Sequence, residues 1–306
     1  MDFPPQFVAK VHRVFGDAGR EWLPGLPGLL ARCRARWALP EGTMCPDMSM
    51  NYVEFTATAA GEPVALKVGV PHEELFTEIE ALRLYGGHGA ARLLDADREL
   101  GAILMQHLEP GTMLWRLGDN RRETAIAASV MRQLHAPPPP AHGLPRFSRW
   151  VERAFRLTRT EWDPQERMPR HLVDRAEEAF REIEQRSPGD VVLHGDLHHE
   201  NILFDRQSGW LAIDPKGVIG PPCLEVGRFL QNQLPDEMPI ERRAALVRER
   251  VEVFHAELGT SRDILLASGL VDCVLSLCWG FEDEALGDGW YGGLELAHAL
   301  CQMLDA

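Results

Sequence analysis

One stretch constrains this chain more than any other: Val191-Val192-Leu193-His194-Gly195-Asp196-Leu197-His198-His199-Glu200-Asn201-Ile202-Leu203-Phe204-Asp205. A short apolar run leads into a polar loop, and an apolar run resumes at Ile202. That pattern reads as strand, loop, strand. Arg206-Gln207-Ser208-Gly209 then turns the chain into a second apolar run, Trp210-Leu211-Ala212-Ile213, which ends at Asp214. A hairpin there returns Asp214 to the side of the loop. Phosphoryl transfer needs such a set: a carboxylate to hold the attacking hydroxyl, and hard oxygen ligands to hold magnesium against nucleotide phosphates. Asp196 suits the first role, Asn201 and Asp214 the second. A rival reading takes His194, Asp196, His198 and His199 as a zinc cluster of a metal hydrolase, which requires the imidazoles to converge.

The run H-G-D-L-H-H-E-N, followed by I-D at Asp214, resembles the catalytic and metal-binding motifs of the aminoglycoside phosphotransferase family. Gly195 stands where protein kinases usually carry Arg, His198 where they carry Lys, and Asp214-Pro215-Lys216 where they carry Asp-Phe-Gly. These differences point to small-molecule kinases. The resemblance implies an α+β, bilobal, protein-kinase-like fold. Residues 1–107 would form a small β-sheet lobe with a helical N-terminal extension, and residues 108–306 a larger, mainly helical lobe. It also implies ATP and Mg2+. A non-catalytic nucleotide-binding protein is the alternative within this fold.

The rest of the chain fits that frame. Residues 1–40 read as partly helical, punctuated by Pro24 and Pro27, and residues 50–69 as a β-hairpin. Lys67 sits inside the apolar strand Val64-Ala65-Leu66-Lys67-Val68, where an unpaired charge is unfavourable. A kinase-like fold implies that it reaches the nucleotide phosphates and pairs with Glu78, or failing that with Glu80. No G-x-G-x-x-G occurs; Ser49 and Asn51, with backbone N–H groups, are the candidates for phosphate contact. Leu93–Asp97 and Gly101–Met105 read as strands, and by fold analogy Gln106 to Leu108 would meet the adenine edge. Helices are expected at 123–135, 171–186, through 225–230, and at 239–258, 261–284 and 291–305. The family usually has Asp where Glu225 stands, as a brace for the catalytic loop.

Asn51-Tyr52-Val53, Leu66-Lys67-Val68-Gly69, Ile213-Asp214-Pro215-Lys216-Gly217 and 274–283 look like the streptomycin 6-phosphotransferase and hydroxyurea phosphotransferase branch. A guanidinium-bearing acceptor needs carboxylates and flat apolar surfaces. Trp279, Glu282 and Asp283, with Glu284 and Trp290 nearby, form a candidate cation-binding wall; the alternative is a solvated acidic helix end.

Lys and Arg number 32 against 46 Asp and Glu, a net charge of −14. That disfavours a nucleic-acid partner and favours a small, hydroxylated, cationic substrate. The six scattered cysteines contain no C-x-x-C pair and point to a reducing cytoplasm. The N-terminus lacks a signal-peptide pattern, and no apolar run is long enough for a membrane span. No motif fixes an oligomeric state.

Overall fold

Trp22, Leu23, Leu26, Leu30 and Cys33 recur at helical spacing. In the computed structural model they form the buried face of one long helix, α1 (Pro5–Trp37). The structure describes residues 3–306 except Asp47, Pro164, Glu166 and 283–287. Pro24 and Pro27, expected to interrupt this helix, lie within it on its exposed side. Water can replace the hydrogen bonds they forfeit there, while the opposite face stays buried. The break comes instead at Gly16, at φ 55° and ψ −126°, a conformation open to a residue without Cβ.

The first sheet holds β1 (Thr43–Met44), β2 (Tyr52–Ala57), β3 (Pro63–Val68), β4 (Leu93–Asp97) and β5 (Ala102–Gln106). Its order is β1-β2-β3-β5-β4, with every pair antiparallel. Helix α2 (Glu73–Tyr85) follows β3. Alternation along β3 sorts the side chains. Val64, Leu66 and Val68 join the α1 cluster on one face, while Ala65 packs with α2 residues on the other.

A buried carboxylate fastens α1 to this sheet. Arg34 Nε donates to Glu54 Oε1 at 2.9 Å and the Tyr52 hydroxyl donates to Oε2 at 2.9 Å; Glu54 is wholly buried. Arg34→Met leaves that charge uncompensated and is expected to destabilise the fold by about 3–5 kcal/mol. Chemical denaturation checks this: an unchanged midpoint would show that Arg34 does not hold α1 in place.

The chain continues through β6 (Pro110–Met113), α3 (Asn120–Leu134), α4 (Phe147–Leu157), α5 (Arg170–Arg186), β7 (Val191–Leu193), β8 (Ile202–Asp205), β9 (Gly209–Ala212) and β10 (Val218–Gly220). It closes with α6 (Leu224–Gln231), α7 (Ile240–Leu258), α8 (Arg262–Glu282) and α9 (Asp288–Leu304). Helix α4 was not anticipated from the sequence, and α9 begins three residues before the expected 291. Strand β7 pairs with β10 rather than with β8, and β6-β8-β9 forms a separate sheet. Helix α8 has the length and mean hydropathy, 1.9, of a membrane span, but 78% of that window is buried. It is a core helix packed by α5, α6 and α9. Gly227 lets α6 lie directly on it: a Cβ there would stand 2.5 Å from Ser268 O.

Candidate active site

The β8–β9 hairpin runs in register from Asp205↔Gly209 to Ile202↔Ala212. One further bond, Ile213 N to Asn201 O at 2.9 Å, brings Asp214 beside Asn201. The loop between β7 and β8 is held from below by α6. Glu225 accepts from His194 N at 2.6 Å and from Gly195 N at 3.0 Å. The longer side chain therefore makes the brace expected of the family's Asp, at the N-terminus of a helix where a carboxylate is favoured. Gly195 has φ 78°, and a Cβ on it would stand 3.0 Å from Val218 and 3.1 Å from Trp150. Any side chain at this position would be strained and crowded.

The histidines face different partners. His194 Nε2 donates to Ile213 O at 2.8 Å while its Nδ1 accepts from Asp196 N at 3.2 Å. Burial pushes this ring's pKa down, consistent with that neutral tautomer. His198 Nδ1 stands 2.7 Å from Glu200 Oε2. His199 Nδ1 donates to Asn232 Oδ1 at 2.6 Å and its ring stacks on Phe229; burial pushes it down to about 3. The convergence required of a zinc cluster is not made. Among the described residues no three His, Cys, Asp or Glu side chains gather as a metal site.

Asp196 lies with Oδ1 3.2 Å from Arg228 Nε. Burial raises its pKa, but Arg228, then Lys216 and His198, outweigh burial and hold it below the usual carboxylate range. Asn201 Nδ2 donates to Asp196 O at 3.0 Å, so its amide oxygen is turned away from that bond. Arg228 Nε also stands 3.7 Å from Asp272 on α8, and Gln231 donates to the same carboxylate.

Lys67 crosses the cleft from β3. Its Nζ donates to Glu78 at 2.7 and 2.9 Å and to Asp214 Oδ1 at 3.1 Å. Burial alone would lower the lysine's pKa, but Asp214 and Glu78 hold it above its ordinary value. Burial lifts Glu78 to about 7, against the pull of Lys67. Glu80 instead faces Arg83, 3.8 Å away. Asp214 is a non-glycine residue at φ 57°, a strained conformation that aims a half-exposed carboxylate into the cleft. Asn201 and Asp214 offer an amide oxygen and a carboxylate, the hard donors that suit magnesium.

Ser49 is exposed on the loop before β2. Asn51 turns back from that loop: its Oδ1 lies 2.1 Å from where a Gly69 Cβ would be, and is buried without a hydrogen-bond partner among the described residues. At the end of β5, Gln106 N is taken by Arg92 O at 2.9 Å. The Leu108 N–H and C=O have no hydrogen-bond partner among the described residues. Next to them His107 stacks on Phe55, centroids 4.1 Å apart.

Of the expected cation wall, Trp279, Glu282 and Trp290 are among the described residues. Trp279 is half-buried and meets Trp150 of α4 edge-on at 5.9 Å. Glu282 is already paired, with Arg153 Nη1 donating at 3.0 Å. Asp283 and Glu284 lie outside the described residues. Trp290 belongs to the core, its Nε1 donating to Leu277 O at 3.2 Å. The sequence reading did not identify Trp150, Lys216, Arg228 or Asp272. The available signals were the apolar spacing of Phe147, Val151, Ala154 and Phe155, and an arginine one helical turn after Glu225.

Comparison with known proteins agrees with this geometry. Residues 36–284 match the family model described as aminoglycoside/hydroxyurea antibiotic resistance kinase. The chain is 30% identical over 284 residues to the streptomycin 6-kinase of Streptomyces griseus, covering 92% of this chain and 91% of that protein. It is 32% identical over 292 residues to the hydroxyurea phosphotransferase of Kitasatospora aureofaciens, covering 92% and 81%. Among solved structures it resembles a mutant of the aminoglycoside phosphotransferase APH(4)-Ia, crystallised with ADP and hygromycin B. There the TM-score is 0.60 at 14% identity, over 89% of this chain and 97% of that one. It also resembles a choline/ethanolamine kinase family protein from Mesorhizobium loti, with a TM-score of 0.61 at 14% identity, over 90% and 95%. Those two likenesses show the kinase-like fold, and the family match with the curated relatives shows that the chain belongs to the aminoglycoside/hydroxyurea antibiotic resistance kinases.

Proposed function

We propose that this protein transfers the γ-phosphoryl group of ATP to a hydroxyl of an aminoglycoside, with streptomycin as the acceptor. The observation that carries the reading is the meeting of Lys67, Glu78, Asp214, Asn201 and Asp196 around one cleft. The nucleotide lobe is residues 1–107 and the acceptor lobe 108–306. Lys67, held protonated, binds the nucleotide phosphates, and the free Leu108 backbone groups, with Gln106 before them, meet the adenine edge. Ser49 is the exposed side chain of the loop that would cover the phosphates. Asn201 and Asp214 would hold magnesium, which neutralises phosphate charge when bound.

Asp196 is the base. The acceptor O–H donates to its carboxylate, the oxygen attacks the γ-phosphorus in line, and the bond to the β-phosphate oxygen breaks to release ADP. Use of ATP and free thiols suits the reducing cytoplasm. A second reading, hydroxyurea as acceptor, is favoured by the 32% identical relative. The cations Arg228 and Lys216 on the acceptor side of Asp196 also suit an uncharged molecule.

Transfer of label from [γ-³²P]ATP with magnesium to streptomycin, other aminoglycosides and hydroxyurea tests the reading. Label on streptomycin is expected. Label on hydroxyurea alone selects the second reading, and ATP binding without transfer to any acceptor overturns both.

A further inference from the structure

Trp150 and Trp279 are part-buried rings, one on the amphipathic helix α4 and one on the core helix α8. They meet at 73° with centroids 5.9 Å apart. Trp150 also borders the catalytic loop, since the Gly195 Cβ position lies 3.1 Å from its ring. A half-open indole pair beside the reacting carboxylate offers a flat apolar face to whatever reaches Asp196. The Lys216 ammonium already stands over that face, 5.2 Å from the Trp279 centroid. Its backbone is fixed, with Thr77 Oγ1 donating to Lys216 O at 2.5 Å and Gly217 N to His194 O at 3.1 Å. Its side chain makes no ion pair among the described residues, yet its charge is felt at both Asp196 and Asp272.

We propose that the Trp150–Trp279 pair is the shelf on which a guanidinium-bearing acceptor stacks, and that Lys216 covers the shelf only until the acceptor arrives. This rests on the kinase reading above and names the acceptor class. A guanidinium is planar and weakly hydrated, so it stacks on indole better than an ammonium does. Two cations cannot share one ring face without strong repulsion. The arriving acceptor therefore displaces Lys216 while its own hydroxyl is brought to Asp196. The freed ammonium, on a backbone anchored beside the catalytic loop, moves toward the negative charge of the phosphoryl group in transfer. Acceptor binding and phosphate stabilisation are then coupled through one lysine.

Steady-state kinetics and calorimetric binding of streptomycin to the full chain test this. Trp279→Leu is expected to raise the streptomycin KM about tenfold, with the ATP KM unchanged, and Trp150→Leu to act in the same direction. Trp279→Phe, which keeps a ring, should recover most of the loss and serves as the folding control. Lys216→Met should split the constants: tighter streptomycin binding without nucleotide, but a lower kcat. Phosphorylation of streptomycin with an unchanged KM in both tryptophan-to-leucine variants, or no gain in binding in Lys216→Met, overturns the shelf and leaves the kinase reading standing. Streptomycin binding that is weakened by Trp279→Leu, in a protein that transfers no phosphate, supports the shelf and overturns the kinase reading. A wild type that neither binds nor phosphorylates streptomycin overturns the guanidinium shelf.

Discussion

Asp196→Asn is expected to lower kcat by about 10²–10⁴-fold, the usual contribution of a positioned base. The substitution keeps the shape of the side chain and removes its charge. Asparagine cannot accept the acceptor's proton, and a neutral amide gives up the charge attraction of Arg228, whose Nε lies 3.2 Å from Asp196 Oδ1. The backbone of the loop is held independently, by Glu225 from below and by Asn201 on Asp196 O. The nucleotide side is therefore undisturbed, and ATP affinity measured by calorimetry should be nearly that of the wild type. Full turnover in this variant would remove Asp196 from the chemistry.

Lys67→Met should act on both catalysis and stability. Loss of a cation at the phosphates is expected to reduce kcat/KM for ATP by about 10²–10³-fold. Methionine fills most of the lysine's volume but leaves Glu78 buried without its partner. Glu78 already has its pKa raised from 4.5 to about 7 by burial, and Lys67 is what holds it from rising further. In the variant the folded-state pKa climbs, while the unfolded value stays at 4.5. Between those two values the folded state binds more protons, so stability falls as pH rises. The loss amounts to about 1.4 kcal/mol per pH unit, and the window extends to higher pH than in the wild type. Denaturation midpoints at several pH values check this: a variant that gains stability relative to the wild type between pH 6 and 8 would contradict the buried pairing.

What could be read from the sequence was what lies close together along the chain. Asp196, Asn201 and Asp214 belong to one loop and the hairpin after it, so their meeting followed from turn chemistry and alternation. Lys67 was legible because a lysine in a run of valine, alanine and leucine needs an explanation. Glu225 was legible as a brace only through resemblance, and its reach is set by where Gly227 lets α6 settle on α8. The acceptor side was legible only at Trp279. Trp150 on α4, Lys216 after β9, Arg228 on α6, and Asp272 with Trp279 on α8 come together from four stretches of chain, and nothing local in any of them announces the others. The expected wall of Glu282 and Asp283 followed adjacency in the sequence, whereas the partner of Glu282 is Arg153 of α4. Pro24 and Pro27 misled for a similar reason: their helix-breaking tendency is local, and the burial of α1's opposite face is not.

Helix α8 buries most of its length and yet turns Asp272 and Trp279, on one helical stripe, toward Arg228 and Trp150. In the proposed reading the acceptor side is set on a buried core helix rather than on a loop that must fold over its guest. An acceptor that fits it loses little affinity to ordering the protein. New acceptors can be reached by exchanging a few side chains on one stripe, while the opposite face goes on holding the molecule together. A single scaffold of this kind can serve acceptors as unlike as a bulky antibiotic and a small urea.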